Sequence, residues 1–457
     1  MNTTSMPSPA RKGRFHDLDW REQYEKKKIS MEEAVQYVRD GDHIAMTGSG
    51  CLPQAFDAAL GPYAVSAGIH VSAHTVYPLQ VPRMLAPEYR DNVTLYSIFF
   101  GQERAKVAQG NVQYIPLNLC KTGDHLLSRH PRVTVIACSP PDENGWMSRS
   151  IWGSHIHRSV FESPDCEVFI AEVNRNLPYT HSDGERHILV HVSEVDHIVE
   201  NDYTWPEVKS IASTDVERKI AGFAAELIPD GACLQLGQGG LANAIGDNLV
   251  YAGKKDIGLQ TEALTNCIAD LMRKGVINNS RKQTYRGRSV AGAVVGDQEL
   301  WDFVRDNPSI CMKDIDWVNE PVNVAKNDNV VSINNAMEID LVGQVCSESI
   351  GTRQYTGSGG QLDWVIGSQM SKGGKSIIAI NATYRDKSGV LHSKIKPVLS
   401  PGAVVTTPRT YVQYVITEYG VADLRYKSTW ERALALIAIA HPDFREELLR
   451  EARKICF

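Results

Sequence analysis

The chain is predicted to form two related open α/β domains with its chemistry in the cleft between them. Three observations predict this. At 457 residues the chain exceeds what one ordinary core accommodates, so two domains are expected. Short Val/Ile-rich runs alternate with helical patterns along its length, as in α/β architecture. A segment of the first half also recurs in the second: "DGDHIAMTGSGCLPQAFDAAL" (Asp40 to Leu60) parallels "DGACLQLGQGGLANAIGDNL" (Asp230 to Leu249). Each reads Asp-Gly, an apolar strand, Gly-x-Gly and a helix. Allowing one residue of slippage, Gly48 matches Gly237, Gly50 matches Gly239 and Leu60 matches Leu249.

The elements follow in order. The opening "MNTTSMPSPARKGRF" is small, polar and basic with no hydrophobic segment behind it, so it is not a secretory signal. Residues 1–14 read as a disordered arm. The first domain is placed at residues 15–215. Its first clear helix starts at "SMEEAVQYV", where Ser30 caps and Glu33 closes a capping box. A turn at Asp40-Gly41 and the strand "HIAMT" come next. The helix in "STDVERKIAGFAAELIPDG" leads into the second copy, which sets the boundary near residue 215 and the second domain at 216–457. A fainter echo pairs "DENGWMS" (Asp142 to Ser148) with "DLVGQVCS" (Asp340 to Ser347). Sites in open α/β sheets lie at the carboxyl ends of strands, hence the cleft.

Composition narrows the function classes. With 42% hydrophobic and 22% charged residues the chain reads as a soluble globular protein, and no apolar run reaches membrane-spanning length. A net charge of −6 argues against nucleic acid as the main partner. Nine cysteines are scattered without any CxxC, mostly in apolar runs, which fits a reducing cytoplasm rather than a disulfide framework.

Several motifs are candidates for chemistry. "DIGLQTEALT" places one carboxylate, Glu262, where an apolar run ends and a helical pattern begins. A helix-start residue favoured by the dipole is the bland reading. "LQLGQGGLANAI" is strand, glycine turn, helix; Gly237-Gln238-Gly239 is either a tight turn or a loop that aims N–H groups at an anion. It is not a dinucleotide fingerprint, because Ala242 stands where GxGxxG needs glycine. Gly374-Lys375-Ser376 mimics the end of a P-loop, but Gln369 replaces the first glycine and a strand follows, so that reading is rejected. Upstream, Gly357, Gly359 and Gly360 in "YTGSGGQLDWVIG" form a second donor-rich loop, or turn chemistry alone. His155, His157, His181, His187, His191 and His197 cluster, and His155 and His157 have the spacing of one strand face. No cysteine pair or HExxH accompanies them, so no metal is assigned. "VITEYGVADLR" carries Glu418, Asp423 and Arg425, read as an ion pair or as support for an active carboxylate.

Taken in order, "LQLGQGGLANAI", "GLQTEALT", "VVSINNAMEIDLVGQV", "YTGSGGQLDWVIGSQMSKGGKSIIAI" and "YVITEYGVADLRYKS…AHPDFR" make the chain resemble the acetyl-CoA hydrolase/transferase family, most closely its 4-hydroxybutyrate CoA-transferase branch. "CSPPDENGWMS" and "HVSEVDHIVE" bring in the first half, so the resemblance runs from about Ser30 onward. It implies a CoA-transferase fold in both domains, with Glu262 of Thr261-Glu262 as the nucleophile. It implies oxyanion donors from Gln238, Gly239, Gly359 and Gly360, with Asn319 and Glu418 in support. Gly237, Gly357, Gln361, Lys372 and Gly373 are the implied CoA contacts. Gly48, Gly50, His155, Arg158 and Tyr179 are placed in an acyl or acceptor pocket. The implied partners are acyl-CoA and a small carboxylate, with neither nucleic acid nor membrane, in a cytoplasmic homodimer or homotetramer. No cofactor is implied, coenzyme A being a substrate that is covalently attached for part of the cycle.

The residue types suit the chemistry. A carboxylate attacks a thioester to give a mixed anhydride, the released thiolate attacks the glutamyl carbonyl, and the glutamyl-CoA thioester passes CoA to an incoming acid. Each stage passes through an oxyanion that fixed donors stabilise. The chain departs from its relatives at Thr265-Asn266-Cys267, where they commonly read Thr-Asp-Gly, and in "LPYTHSDGERHILVHV", where Tyr179 stands in place of an arginine. Arg149, Arg158 and Arg186 would suit a dicarboxylic acceptor. Two alternatives stand beside transfer: acyl-CoA hydrolysis on the same scaffold, and a non-catalytic CoA-binding protein.

Overall fold

The computed structural model describes residues 19–184 and 187–455. The arm expected at residues 1–14 lies outside the described residues, as does Arg186. The chain divides into two compact α/β units. The first runs to Val208 and takes in Gly292–Val294 and Gln298–Trp317; the second holds Lys209–Ala291, Val295–Asp297 and everything from Val318. A single boundary near residue 215 does not capture the excursion through residues 292–317. Periodicity marks elements, not the unit that an element joins.

The first unit is built on a seven-stranded parallel sheet in the order Val112–Tyr114, Val93–Ser97, Val71–His74, His43–Met46, Val133–Cys138, Val168–Val173, His197–Glu200. Val133–Cys138 and Val168–Val173 are buried at every position, as expected of parallel strands covered on both faces. One face packs Ile44, Met46, Phe56, Leu60, Val133 and Val135; the other packs Ile136, Cys138, Phe161 and Phe169. The one carboxylate in these two runs, Glu172, caps the helix Gln54–Ala67 by accepting from the N–H groups of Ala55 (3.0 Å) and Phe56 (3.1 Å). The capping box of Ser30 and Glu33 forms as expected, on the short helix Met31–Val35.

In the second unit the strands lying wholly inside it run Gly258–Thr265, Cys233–Leu236, Val330–Asn335, Lys375–Ala379, Tyr414–Thr417, Gly420–Asp423. All neighbours are parallel except the last pair. Its core includes Ile339, Val365, Ile378, Val415 and Leu436. The sequence echo corresponds to topology. His43–Met46 sits between Val71–His74 and Val133–Cys138, as Cys233–Leu236 sits between Gly258–Thr265 and Val330–Asn335. The match extends to one hydrogen bond: Thr75 Oγ1 donates to Thr47 O at 3.2 Å, and Thr261 Oγ1 to Leu236 O at 3.2 Å. The residue after each threonine is Val76 in the first unit and Glu262 in the second. Only one copy carries the carboxylate.

Inside the first unit, fully buried Arg149 pairs with fully buried Asp314 at 2.7 Å. Arg149 also donates to the carbonyls of Gly153, Ile156 and His187, and His187 Nδ1 lies 3.1 Å from the second oxygen of Asp314. Removing one partner from such a pair strands a charge in a dry interior. Arg149→Leu is expected to destabilise this unit by about 3–5 kcal/mol, read as a fall in its thermal unfolding midpoint. Among the described residues no helix is long and apolar enough to cross a membrane.

Candidate active site

Glu262 lies within the strand Gly258–Thr265, and the next helix, Asn266–Arg273, begins four residues later with Thr265 at its N-cap position. Its carboxylate is therefore not a helix-start group. Leu234 pairs with Leu259, which sets the neighbouring strand's last residue, Leu236, beside Thr261. Glu262 follows at once, at the carboxyl edge of the parallel sheet, where ligand sites of open α/β folds lie.

Two donors meet the carboxylate. Asn319 Nδ2 donates to Glu262 Oε2 at 3.0 Å, and the backbone N–H of Gly360 donates to the same side chain. Gly360 is glycine because the space is taken. A Cβ there would stand 2.1 Å from Asn319 Nδ2 and 2.2 Å from Glu262 Oε2. Gly359, before it, turns the chain with φ of 57°, a left-handed conformation that suits glycine. The helix Gln361–Met370 follows, with Gly360 as its N-cap, so the donor N–H belongs to the amino end of a ten-residue helix. Glu262 keeps a partial opening to solvent, but its dense surroundings strip away most hydration. Burial pushes its carboxyl above the ordinary range, while Asn319 and then the Gly360 N–H act in the opposite direction by favouring the charged form.

A pH dependence follows with a definite sign. Any reaction that needs ionised Glu262 loses rate as pH falls through this raised pKa. Asn319→Ala deletes a donor to the charged form, so the acid limb of the rate profile is expected to move to higher pH, measured as kcat/KM against pH. A limb that stays in place or moves down would contradict this placement.

The first glycine loop lies on the same edge. Gly237 directly follows Leu236, whose carbonyl receives Thr261 Oγ1. Gln238 is exposed, and Gly239, at φ 113°, caps the twelve-residue helix Gly240–Tyr251. A depression beside it is lined by Leu236, Gly237, Gln238, Leu241, Ile333 and Asn334. Gly357 is buried at the start of the second loop, and Gln361 Nε2 donates to Thr407 Oγ1 at 3.2 Å.

Other expected residues fall elsewhere. Lys372 and Gly373 form a turn at the amino edge of the sheet, where Asn329 N donates to Lys372 O and Lys375 opens its strand. The helix between them and Gly360 carries the chain roughly 15 Å, away from Glu262. Glu418 accepts from Ala382 N at 2.8 Å and holds a loop, while Asp423 and Arg425 form a bidentate pair at 3.0 and 2.8 Å.

The expected acceptor-pocket residues are packed into the first unit's own framework. A Cβ on Gly48 would meet Val76 O at 2.3 Å, and one on Gly50 would meet the Trp205 indole at 2.9 Å. His155 is buried and stacked on Trp152 in a turn of 3-10 helix, so it shares no strand face with His157, which caps the helix Arg158–Glu162. Arg158 is committed to Glu162 and Glu194, and Tyr179 donates to Asp142 at 3.0 Å. His181 bonds Asp306 and His191 caps a short 3-10 turn, while His187 and His157 both approach one oxygen of Asp314, at 3.1 and 3.9 Å, inside the first unit's framework. Gln260, to which the sequence assigns no role, is buried two residues before Glu262 and bonds the carbonyl of Val318, next to Asn319.

Models of the acetyl-CoA hydrolase/transferase N-terminal and C-terminal domains match residues 10–207 and 296–452. The chain is 40% identical over 440 residues to the succinyl-CoA:cyclohexane-1-carboxylate CoA transferase of Geobacter metallireducens, covering 95% of this chain and 97% of that one. It is 36% identical over 452 residues to the 4-hydroxybutyrate coenzyme A transferase of Clostridium kluyveri, covering 96% and 100%. The crystal structure of RipA from Yersinia pestis superposes with a TM-score of 0.86 at 35% identity, covering 96% of this chain and 99% of that one.

Proposed function

The chain belongs to the acetyl-CoA hydrolase/transferase family as a CoA-transferase, and from that premise we propose that it moves CoA from a short acyl-CoA to a small monocarboxylic acid through a thioester on Glu262. The observation that carries the proposal is the isolated carboxylate at the strand edge, held on one side by Asn319 and the Gly360 N–H.

The cycle balances. An oxygen of Glu262, with Oε2 anchored, attacks the thioester carbon, and the electron pair leaves with the CoA sulfur as thiolate. The mixed anhydride so formed is attacked at the glutamyl carbonyl by that thiolate, which expels the donor's acid as carboxylate. The acceptor carboxylate then attacks the glutamyl-CoA thioester, thiolate leaves again, and its attack on the acceptor carbonyl yields the new acyl-CoA and free Glu262. Backbone N–H groups of the two glycine loops supply donors where oxyanion charge develops. Donor acid and acceptor acid use the same site in turn.

The acceptor is a small monocarboxylate of the butyrate or 4-hydroxybutyrate kind. Two of the arginines that suit a dicarboxylate, Arg149 and Arg158, are engaged by Asp314, Glu162 and Glu194. Acetyl-CoA offered with butyrate, 4-hydroxybutyrate or succinate tests this. Expected are new acyl-CoA from the monocarboxylates and parallel double-reciprocal plots. Reaction with succinate alone would overturn the acceptor class. CoA release at the same rate without any acid would make the protein a hydrolase.

A further inference from the structure

Both donors to Glu262 sit on segments distant in sequence, and something must keep them in register. Gln260 lies on the same strand as Glu262 two residues earlier, so both side chains project from one face. It is 1% exposed. Its Nε2 donates to Val318 O at 3.0 Å, the carbonyl immediately before Asn319. Its Oε1 accepts from Asn327 Nδ2 at 3.1 Å. One amide thus ties down both ends of the segment 318–327, which carries Asn319 at its start.

The far end is anchored in turn. Asn327 is fully buried; its Oδ1 accepts from the N–H groups of Gln283 and Thr284, both at 3.1 Å, and its carbonyl accepts from Ser371 Oγ at 2.6 Å. The middle of the segment, Pro321–Val324, packs on the helix Gln361–Met370 that begins after Gly360. The approach is close enough that a Cβ on Gly367 would stand 2.6 Å from Val324 Cβ and 3.2 Å from Pro321 Cα. The two donors therefore belong to one packed pair, and Gln260 fastens that pair to the strand that bears Glu262. Asn319 itself is fully buried, and among the described residues its Oδ1 has no hydrogen-bond partner, so none of them orients its side chain from that oxygen. Its orientation comes from the Nδ2 contact with Glu262 and from the backbone that Gln260 holds.

We propose that Gln260 is a positioning residue for CoA transfer: its amide clamps the segment 318–327 so that Asn319 reaches Glu262. The proposal rests on the reading of Glu262 as nucleophile. Gln260 touches no reacting atom and acts through Asn319.

The test compares full-length wild type with Gln260→Ala, with Gln260→Met, which keeps the volume without the hydrogen bonds, and with Asn319→Ala alone and combined with Gln260→Ala. Each is assayed for kcat and KM with acetyl-CoA and butyrate and for amide hydrogen exchange. Expected is a kcat loss between about 10-fold and 100-fold in both Gln260 variants with KM for acetyl-CoA little changed, since misplacement by an ångström is enough for such a loss. The acid limb should move to higher pH, as in Asn319→Ala. In the double variant the Gln260 change should add little to the Asn319 loss, because the two act in one chain. Exchange should quicken over residues 318–327 while the other strands keep their protection. Multiplied losses in the double variant, or unchanged exchange over that segment, would overturn the clamp even with a normal covalent adduct on wild type. Absence of any CoA adduct on wild-type Glu262 would instead overturn the nucleophile reading, and with it the catalytic part of this proposal.

Discussion

Glu262→Ala is expected to abolish covalent attachment of CoA and to lower CoA transfer by at least about 10⁴-fold, the order of loss seen when a covalent nucleophile is removed. Such a loss requires that this carboxylate, and not Glu418 or another acid, attacks the thioester. The structure supports that asymmetry. Glu418 is spent on Ala382 N, and the position equivalent to Glu262 in the first unit is Val76. Glu262→Gln should fail as completely, because an amide keeps the shape and the contacts but has no oxygen anion to offer. Steady-state transfer from acetyl-CoA to butyrate checks both variants. Residual transfer within tenfold of wild type in either would assign the chemistry to another group.

Gly360→Ala is the second large effect. The backbone there has φ −90° and ψ 7°, which alanine adopts without strain, so the change acts by occupation of space alone. The added methyl would stand 2.1 Å from Asn319 Nδ2 and 2.2 Å from Glu262 Oε2, and these are the groups that must yield. Their displacement disrupts both hydrogen bonds to the carboxylate. Loss of one fixed donor at such a site commonly lowers rate by about 10²–10³-fold. We expect a kcat loss of that order with a thermal midpoint close to wild type, measured by transfer kinetics beside a melting curve. Near-normal kcat would show that the loop carries no donor that matters.

Much of this was legible in the sequence, for physical reasons. Alternation of β-branched runs with capped helices marks a parallel sheet whatever the tertiary detail, and Ser30 with Glu33 names its own capping box. The Gly-x-Gly echo found two equivalent strands, although the glycines answer different needs: a Cβ on Gly48 or Gly50 would clash, whereas Gly237 faces open space and Gly239 turns the chain at φ 113°. Glu262 was legible as an unusual carboxylate, although its apparent helix-start position was mistaken: the strand runs three residues past it.

What stayed hidden depends on chain reversal and on distant partners. Lys372 and Gly373 stand close in sequence to the second loop, yet the intervening helix Gln361–Met370 delivers them to the opposite edge of the sheet. Arg158 and His155 look like free polar groups in a linear reading. Only the fold brings Glu194 to the first and Trp152 stacked against the second. Gln260 stands inside "GLQTEALT" but nothing in that stretch gives it a role, because its partners Val318 and Asn327 are 58 and 67 residues away.

The central claim is that Glu262 carries CoA covalently. The direct measurement is intact-protein mass of wild type and Glu262→Ala after brief mixing with acetyl-CoA, followed by peptide mapping. A CoA-sized adduct that maps to Glu262 and is absent from the variant is the predicted result. An adduct on another residue, or none across several acyl-CoA donors while CoA transfer proceeds, would contradict it.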